Sequence, residues 1–481
     1  MNAATLEFIR THANDDVRKL ALGRVPNEVN LREALTQIEG RQLAARKLPL
    51  LAATDGILFP PRLSLEQCSS ETTAAYKRDL IARLAKSLPR GGSEGNRGLT
   101  KCQSALSGRS LTPKRRADSG EGSPSTFTDL TGGFGIDFMA IAPLFSRAVY
   151  VERNPDLCEL ARHNLPLMGL PHAEVRCEEV TANSSLFTHH SSFVIRHSSF
   201  VIRHSSFVIR HSSFILIDPA RRDAAGRKVA LIEDCTPDVC GLQEQLRASA
   251  RYTLIKLSPM LDLTAALRAL DGIVEAHVVS VAGECKELLL VMEGGNGLSE
   301  QSEHSYLNIP IYCVDLKDEP TTFRFTLAEE KTTSQDTLLP SSNLSSPFGE
   351  GSGVRLGAGL RLFLYEPNPS ILKAGAFKSI CRQYPVQKVA KDSHLYVSDQ
   401  LLPEFPGRKW QAVDIATFNK KDLKRLLADI DAADLTVRGF PLSVASLRKQ
   451  LHLREGGSHH LIATTLADGT KILLKVLPTS H

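Results

Sequence analysis

Long apolar runs are missing from this chain of 481 residues. No stretch approaches the roughly 18 apolar residues that a spanning helix needs, so no membrane segment is expected. The opening, MNAATLEFIRTHANDD, lacks a basic stretch followed by an apolar one, so no secretory leader is expected either. The nine cysteines are an odd number, scattered, with no C-x-x-C spacing. That argues against a disulfide framework and a zinc knuckle; it points to a reducing cytoplasm and to no bound metal. Charge of one sign is scarce too: 58 Lys+Arg stand against 53 Asp+Glu, a net +5 that identifies no partner.

What is present is ordinary for a globular protein. Hydrophobic residues make up 42% and charged residues 23%, which excludes wholesale disorder. At about 150 residues per domain the length implies two to four units. The basic charge is concentrated: residues 370–481 hold 17 Lys/Arg and 10 Asp/Glu. Such a surplus suits a polyanion, although solvated Lys/Arg faces are the commoner explanation.

Residues 1–86 read as a helical region, with helical apolar spacing around 5–12, 16–22, 30–46 and 71–87. Ser69 and Ser70 are candidate N-caps for the last of these. Residues 87–126 are rich in Gly, Ser and Lys/Arg and read as a flexible basic linker; 331–353 read the same way. Residues 190–210 repeat HSSFVIR three times, followed by HSSFILI. A period of seven is too short for a solenoid unit, and its contiguous Phe-Val-Ile block does not make a coiled-coil seam. It reads as a duplicated strand leader, with Phe214–Ile217 as the real strand. Between 127 and 300 strands and helices alternate, with strands expected at 126–130, 148–152, 173–177, 214–218, 252–257, 273–281 and 286–293. Alternation of this kind predicts an α/β fold, a doubly wound Rossmann-like sheet. The last two strands lie close together and need not be parallel. Beyond 300, a connecting region with a small α+β module (301–404) precedes a second module (405–478).

The first chemical signal is Thr128-Asp129-Leu130-Thr131-Gly132-Gly133-Phe134-Gly135-Ile136-Asp137, directly after a strand. Its glycines allow a sharp turn and close approach to a ligand. The spacing is not G-x-G-x-x-G; it resembles the D-x-x-G-x-G-type loop of class I S-adenosylmethionine (SAM)-dependent methyltransferases. Asp129 either binds the ammonium of SAM or orients the loop. Glu152 ends the next strand, where a carboxylate can accept hydrogen bonds from both ribose hydroxyls. Glu178 and Glu179, after the third strand, are candidates for the adenine amino group or plain surface charge.

Asp218-Pro219-Ala220-Arg221-Arg222 follows the fourth strand. It resembles the D/N-P-P-x motif of enzymes that methylate nucleobase amines, with Ala220 where many have a second Pro or an aromatic. Asp218 and Pro219 would aim the amine's lone pair, and positioning supplies most of the acceleration in such a transfer. Arg221 and Arg222 either hold phosphate or pair with nearby carboxylates. Lys256, in Lys-Leu-Ser-Pro-Met after the fifth strand, lies at the same carboxyl edge. No cysteine sits there, which argues against C5-pyrimidine methylation through a Cys nucleophile. The polar run Leu63–Glu71 with Tyr76-Lys77 either covers the pocket or is a capped interdomain turn. In the C-terminal third, Arg408, Arg438, Arg448 and Lys449, interleaved with glycines and aromatics, fit an RNA-contacting module.

Together, residues 64–71, 129–137, 218–222, 366–368, 373–375, 405–408 and 438–443 resemble a bacterial group of SAM-dependent methyltransferases with a C-terminal THUMP-like domain. The resemblance implies a helical N-terminal region, a Rossmann-like catalytic domain, and ferredoxin-like and THUMP-like modules. It implies SAM as cofactor, Asp129, Thr131, Gly132, Gly133, Gly135 and Glu152 around it, and RNA as substrate class. A non-catalytic RNA-binding protein with this fold, and a protein or small-molecule methyltransferase, are the alternatives.

Overall fold

The computed structural model describes residues 1–86, 125–184, 186–187, 212–221, 231–295, 304–317, 319–333, 361–391 and 393–479. The first three copies of the seven-residue repeat, the 87–124 part of the linker, Arg222 and nearly all of 331–353 lie outside them. The chain forms two compact units, Met1–Glu275 with Leu288–Ser302, and Ala276–Glu287 with Glu303–His481.

The first unit opens on six helices: α1 (Ala3–Thr11), α2 (Val17–Leu22), α3 (Leu31–Lys47), α4 (Pro49–Ala53), α5 (Arg62–Gln67) and α6 (Glu71–Lys86). The two short helices, α4 and α5, were not expected. Between them runs an extended segment that two amides clamp. Gln37 donates to the Phe59 carbonyl at 2.9 Å and accepts its N–H at 2.8 Å. Asn164 does the same for Leu58, at 2.8 and 3.0 Å. A segment without a ladder of its own thus has its backbone groups satisfied. Ser70 Oγ caps α6 by accepting the Thr73 N–H at 3.2 Å.

Five parallel strands follow: β1 (Thr126–Asp129), β2 (Arg147–Glu152), β3 (Glu174–Cys177), β4 (Ser212–Ile217) and β5 (Ala250–Leu257). Their order is β3-β2-β1-β4-β5. Between them come α7 (Ile136–Ile141), α8 (Pro155–Leu167) and α9 (Val239–Ser249), and α10 (Leu263–Ala269) follows β5. Phe214, Ile215, Leu216 and Ile217 are all buried, as a strand covered on both faces requires. The fourth copy of the repeat therefore supplies a central strand. Rings at 5.5–5.6 Å centroid spacing (Phe127, Phe145, Phe214, Tyr252) cross the sheet and fill its core.

Next come β6 (Ile273–Val281) and β7 (Glu284–Glu293), joined at Ala282–Gly283, both with left-handed φ, as a tight hairpin turn needs. β7 runs antiparallel to β5.

In the second unit β8 (Ile311–Leu316) lies parallel to β6 and antiparallel to β9 (Thr321–Phe325). After α11 (Leu327–Thr332) come β10 (Leu362–Pro367), α12 (Pro369–Ala374), α13 (Ser379–Gln383), β11 (Gln387–Lys388), β12 (Tyr396–Ser398) and β13 (Gly407–Thr417). The chain ends with α14 (Lys420–Leu426), β14 (Ala432–Arg438), α15 (Val444–Leu451), β15 (Arg454–Thr465) and β16 (Lys471–Pro478). These strands form one sheet in the order β11-β12-β10-β13-β16-β15-β14. Its apolar layers gather around Trp410, Ile462 and Leu474, and around Leu447, Leu461 and Leu473.

Candidate functional site

The carboxyl ends of β1, β2, β4 and β5 meet at the switch point between β1 and β4, where open α/β sheets bind ligands. Leaving β1, the chain must turn sharply over β2, and Gly132 makes this possible. A Cβ there would sit 2.1 Å from the Tyr150 ring. Gly133 has φ +54°, and a Cβ there would meet the Thr131 carbonyl oxygen at 3.8 Å, an ordinary contact. Gly135, at φ +84°, starts α7.

Glu152 holds this turn. One carboxylate oxygen accepts the Gly133 N–H at 2.9 Å and the other accepts the Asn154 N–H at 2.8 Å. Each oxygen keeps a further lone pair for a hydroxyl donor. Tyr150 donates its hydroxyl to the Gly133 carbonyl, and burial pushes its ionisation far above the ordinary tyrosine range. Behind Glu152, Cys158 Sγ donates to the Glu152 carbonyl at 3.2 Å; burial raises this thiol to about 12, so it stays protonated.

Asp129 is buried and accepts the Thr131 N–H at 3.0 Å. Desolvation raises its carboxyl well above the usual range, and the neighbouring Asp137 and Asp218 add to this. Thr131 in turn joins the two motifs: its Oγ1 accepts the Asp218 N–H at 2.6 Å. Asp218 pairs through Oδ2 with Lys256. Asp218-Pro219-Ala220 is braced by a two-way bridge, Ala220 N–H to the Thr236 carbonyl at 2.7 Å and Thr236 N–H to the Ala220 carbonyl at 3.0 Å.

The charges extend into the N-terminal helices. Lys256 stands 3.7 Å from Asp137, and Asp137 is 3.2 Å from Lys77 of α6. Ser69 Oγ donates to Asp137 at 2.7 Å. Burial would raise the Asp137 carboxyl, but Lys77, Lys256 and Ser69 outweigh it and hold it below the usual range. The polar run at 63–71 with Lys77 thus contributes side chains beside the glycine turn. Sequence reasoning did not pair Lys77 with Asp137. One signal was present: Lys77 is a charge on the inward stripe that also holds Ala74, Leu80, Ile81 and Leu84. Thr236 gave no such signal.

The remaining candidates are spread out. The Glu178 N–H donates to the Glu152 carbonyl at 3.1 Å, which keeps that residue beside the site. Glu179 lies 3.4 Å from Arg153, both exposed. Arg221 is half-buried just after the Ala220 bridge. In the second unit Arg438 grips the buried Glu366 with Nε and Nη2, both at 2.5 Å. Arg408 stands 3.8 Å from the same carboxylate with its side chain 63% exposed. Arg448 donates to the Ala433 and Arg454 carbonyls at 2.8 Å each, and Lys449 is exposed. Among the described residues no helix is long and apolar enough to cross a membrane.

The chain is similar to known proteins and domains. Residues 363–406 match a ferredoxin-like domain and 407–476 a THUMP domain-like family. A methyltransferase-assigned crystal structure from Porphyromonas gingivalis W83 is 29% identical, covers 99% of this chain and 98% of its own, and superposes with a TM-score of 0.69. An uncharacterized SAM-dependent methyltransferase of Mycobacterium tuberculosis H37Rv is 22% identical over 71% of this chain and 78% of its own length. The chain is therefore of the SAM-dependent methyltransferase class, with ferredoxin-like and THUMP-like domains at its C-terminal end.

Proposed function

We propose that the chain methylates a nucleobase amine in RNA, tRNA or rRNA, with SAM as donor. The observation that carries this reading is the 2.6 Å hydrogen bond from the Asp218 N–H to Thr131, which ties the acceptor motif to the cofactor turn. The remaining lone pairs of the Glu152 carboxylate, beside the Gly133 N–H, fit a nucleoside with two ribose hydroxyls. SAM would supply an electrophilic methyl on sulfur, with S-adenosylhomocysteine as the leaving group and one proton given up by the methylated nitrogen. Glu152 holds the sugar, and Glu178, tied to Glu152 through its backbone N–H, is the candidate for the adenine. Gly132, Gly133 and Gly135 clear the path of the backbone around the amino-acid end. Asp129 orients the turn through Thr131.

Asp218 keeps Oδ2 on Lys256, and Oδ1 has no partner among the described residues. Oδ1 and the Pro219 carbonyl accept the two N–H bonds of the target amine and aim its lone pair along the line of transfer. A target in a duplex or loop has to be unstacked to reach them. Arg221, half-buried just after the Ala220 bridge, is the candidate for the phosphate flanking that base. Arg408 and Lys449 are the best-exposed of the RNA-contact candidates, while Arg438 and Arg448 also hold carboxylate and carbonyls of their own unit.

The test is tritiated methyl transfer from SAM to total RNA of cells lacking the gene, followed by nucleoside mass spectrometry. A new methylated base with an N-linked methyl is the expected result. SAM binding with no transfer to any RNA would instead mark an RNA-binding protein that has kept the fold.

A further inference from the structure

Lys77 has no solvent exposure, and the docking of its helix does not require a charge. α6 already buries Ala74, Leu80, Ile81 and Leu84, and an apolar cluster of Leu65, Ala74, Phe134 and Ile136 joins the N-terminal segment to the glycine turn. Burying an ammonium group carries a desolvation cost that an apolar side chain would avoid. The ammonium acts on Asp137, 3.2 Å away, and donates to Ser69 Oγ at 3.2 Å, which itself donates to Asp137. Asp137 is also within 3.7 Å of Lys256, and Lys256 is paired with Asp218. Among the described residues, Lys256 therefore has both Asp137 and Asp218 within reach. With Lys77 neutralising Asp137 at 3.2 Å, the closer pairing of Lys256 goes to Asp218. Without Lys77, Asp137 would be a buried carboxylate with one cation left, and Lys256 would be drawn to it.

We propose that Lys77 is a positioning residue for methyl transfer: by neutralising Asp137 it leaves Lys256 to fix the Asp218 carboxylate against the acceptor. The inference rests on the reading of Asp218 as the acceptor-orienting group. It gives the N-terminal helices a part in the chemistry, acting through two intermediaries and touching neither donor nor acceptor.

The test compares wild type, Lys77→Met, and Lys77→Met/Asp137→Asn for SAM affinity by calorimetry and for kcat and KM on the RNA that wild type methylates. Lys77→Met should bind SAM within about threefold of wild type and lose about a hundredfold in kcat, the scale of an ångström-level misplacement. The double variant removes the carboxylate that would capture Lys256, so it should regain at least tenfold of that loss. A role limited to docking α6 predicts no such recovery. Unchanged kcat in folded Lys77→Met, or no recovery in the double variant, overturns the proposal. If Lys77→Met does not fold, Lys77→Gln replaces it; failure of both to fold makes the pair a docking device and also overturns it. If wild type itself transfers no methyl to RNA, the functional reading fails and takes this inference with it. Transfer by wild type alongside an unaffected Lys77→Met isolates the failure here.

Discussion

Asp129 and Asp137 lie eight positions apart, yet their environments push them in opposite directions. Asp137 has two cations and is held as a carboxylate; Asp129 has one backbone donor and a buried position. A carboxyl raised on folding adds stability that is full below its ordinary value, 3.8, and lost as pH rises through the folded value. Asp129→Asn abolishes that ionisation. Melting curves from pH 4 upward should show the variant gaining on wild type as pH rises, and levelling off once folded Asp129 has ionised. A constant difference across the range would mean that Asp129 is not the raised group. Asp137 contributes with the opposite sign: its stabilisation is present above its unfolded value and is lost only as pH falls through the depressed folded one.

At the scale of elements, the site depends on how the N-terminal helices are held against the sheet. The Asn164 amide carries much of this, because it satisfies both backbone groups of Leu58 from α8. Asn164→Ala leaves that N–H and carbonyl unpaired in a part-buried position. A loss of about 2 kcal/mol in urea unfolding is expected, the usual cost of orphaned groups; a change near zero would show that water replaces the amide. The repeat behaves differently. β4 is built from the last copy and is paired on both sides, to β1 and β5. Deleting 190–210 should leave SAM binding intact, as calorimetry on the soluble deletion would show. Collapse of soluble expression would contradict this.

Taken whole, the molecule puts its cofactor-site candidates in one unit and its basic surplus in the other. If RNA is the substrate, Arg408→Glu with Lys449→Glu should weaken RNA binding and leave SAM affinity unchanged. The slope of log affinity against log salt should fall by about one for each phosphate contact removed. Equal loss of SAM affinity would place these residues elsewhere in the mechanism.

Strand ends, the glycine turn and the acidic residue after the second strand were legible because each is a local pattern: alternation of strand and helix, a breaker after an apolar run, a carboxylate at a strand terminus. So were the long helices, whose apolar spacing repeats over several turns. Short α4 and α5 were not, although α2, also six residues long, was read at 16–22. Lys77 beside Asp137 and Asp218 bonded to Thr131 join residues 60 and 87 positions apart, and nothing in local spacing encodes such distances. The sequence by itself determined which strands and turns form and which chemistry-bearing residues end them. Only the tertiary structure decided which charges share a buried space, because pairing inside a low-dielectric interior is set by what packing brings within a few ångströms.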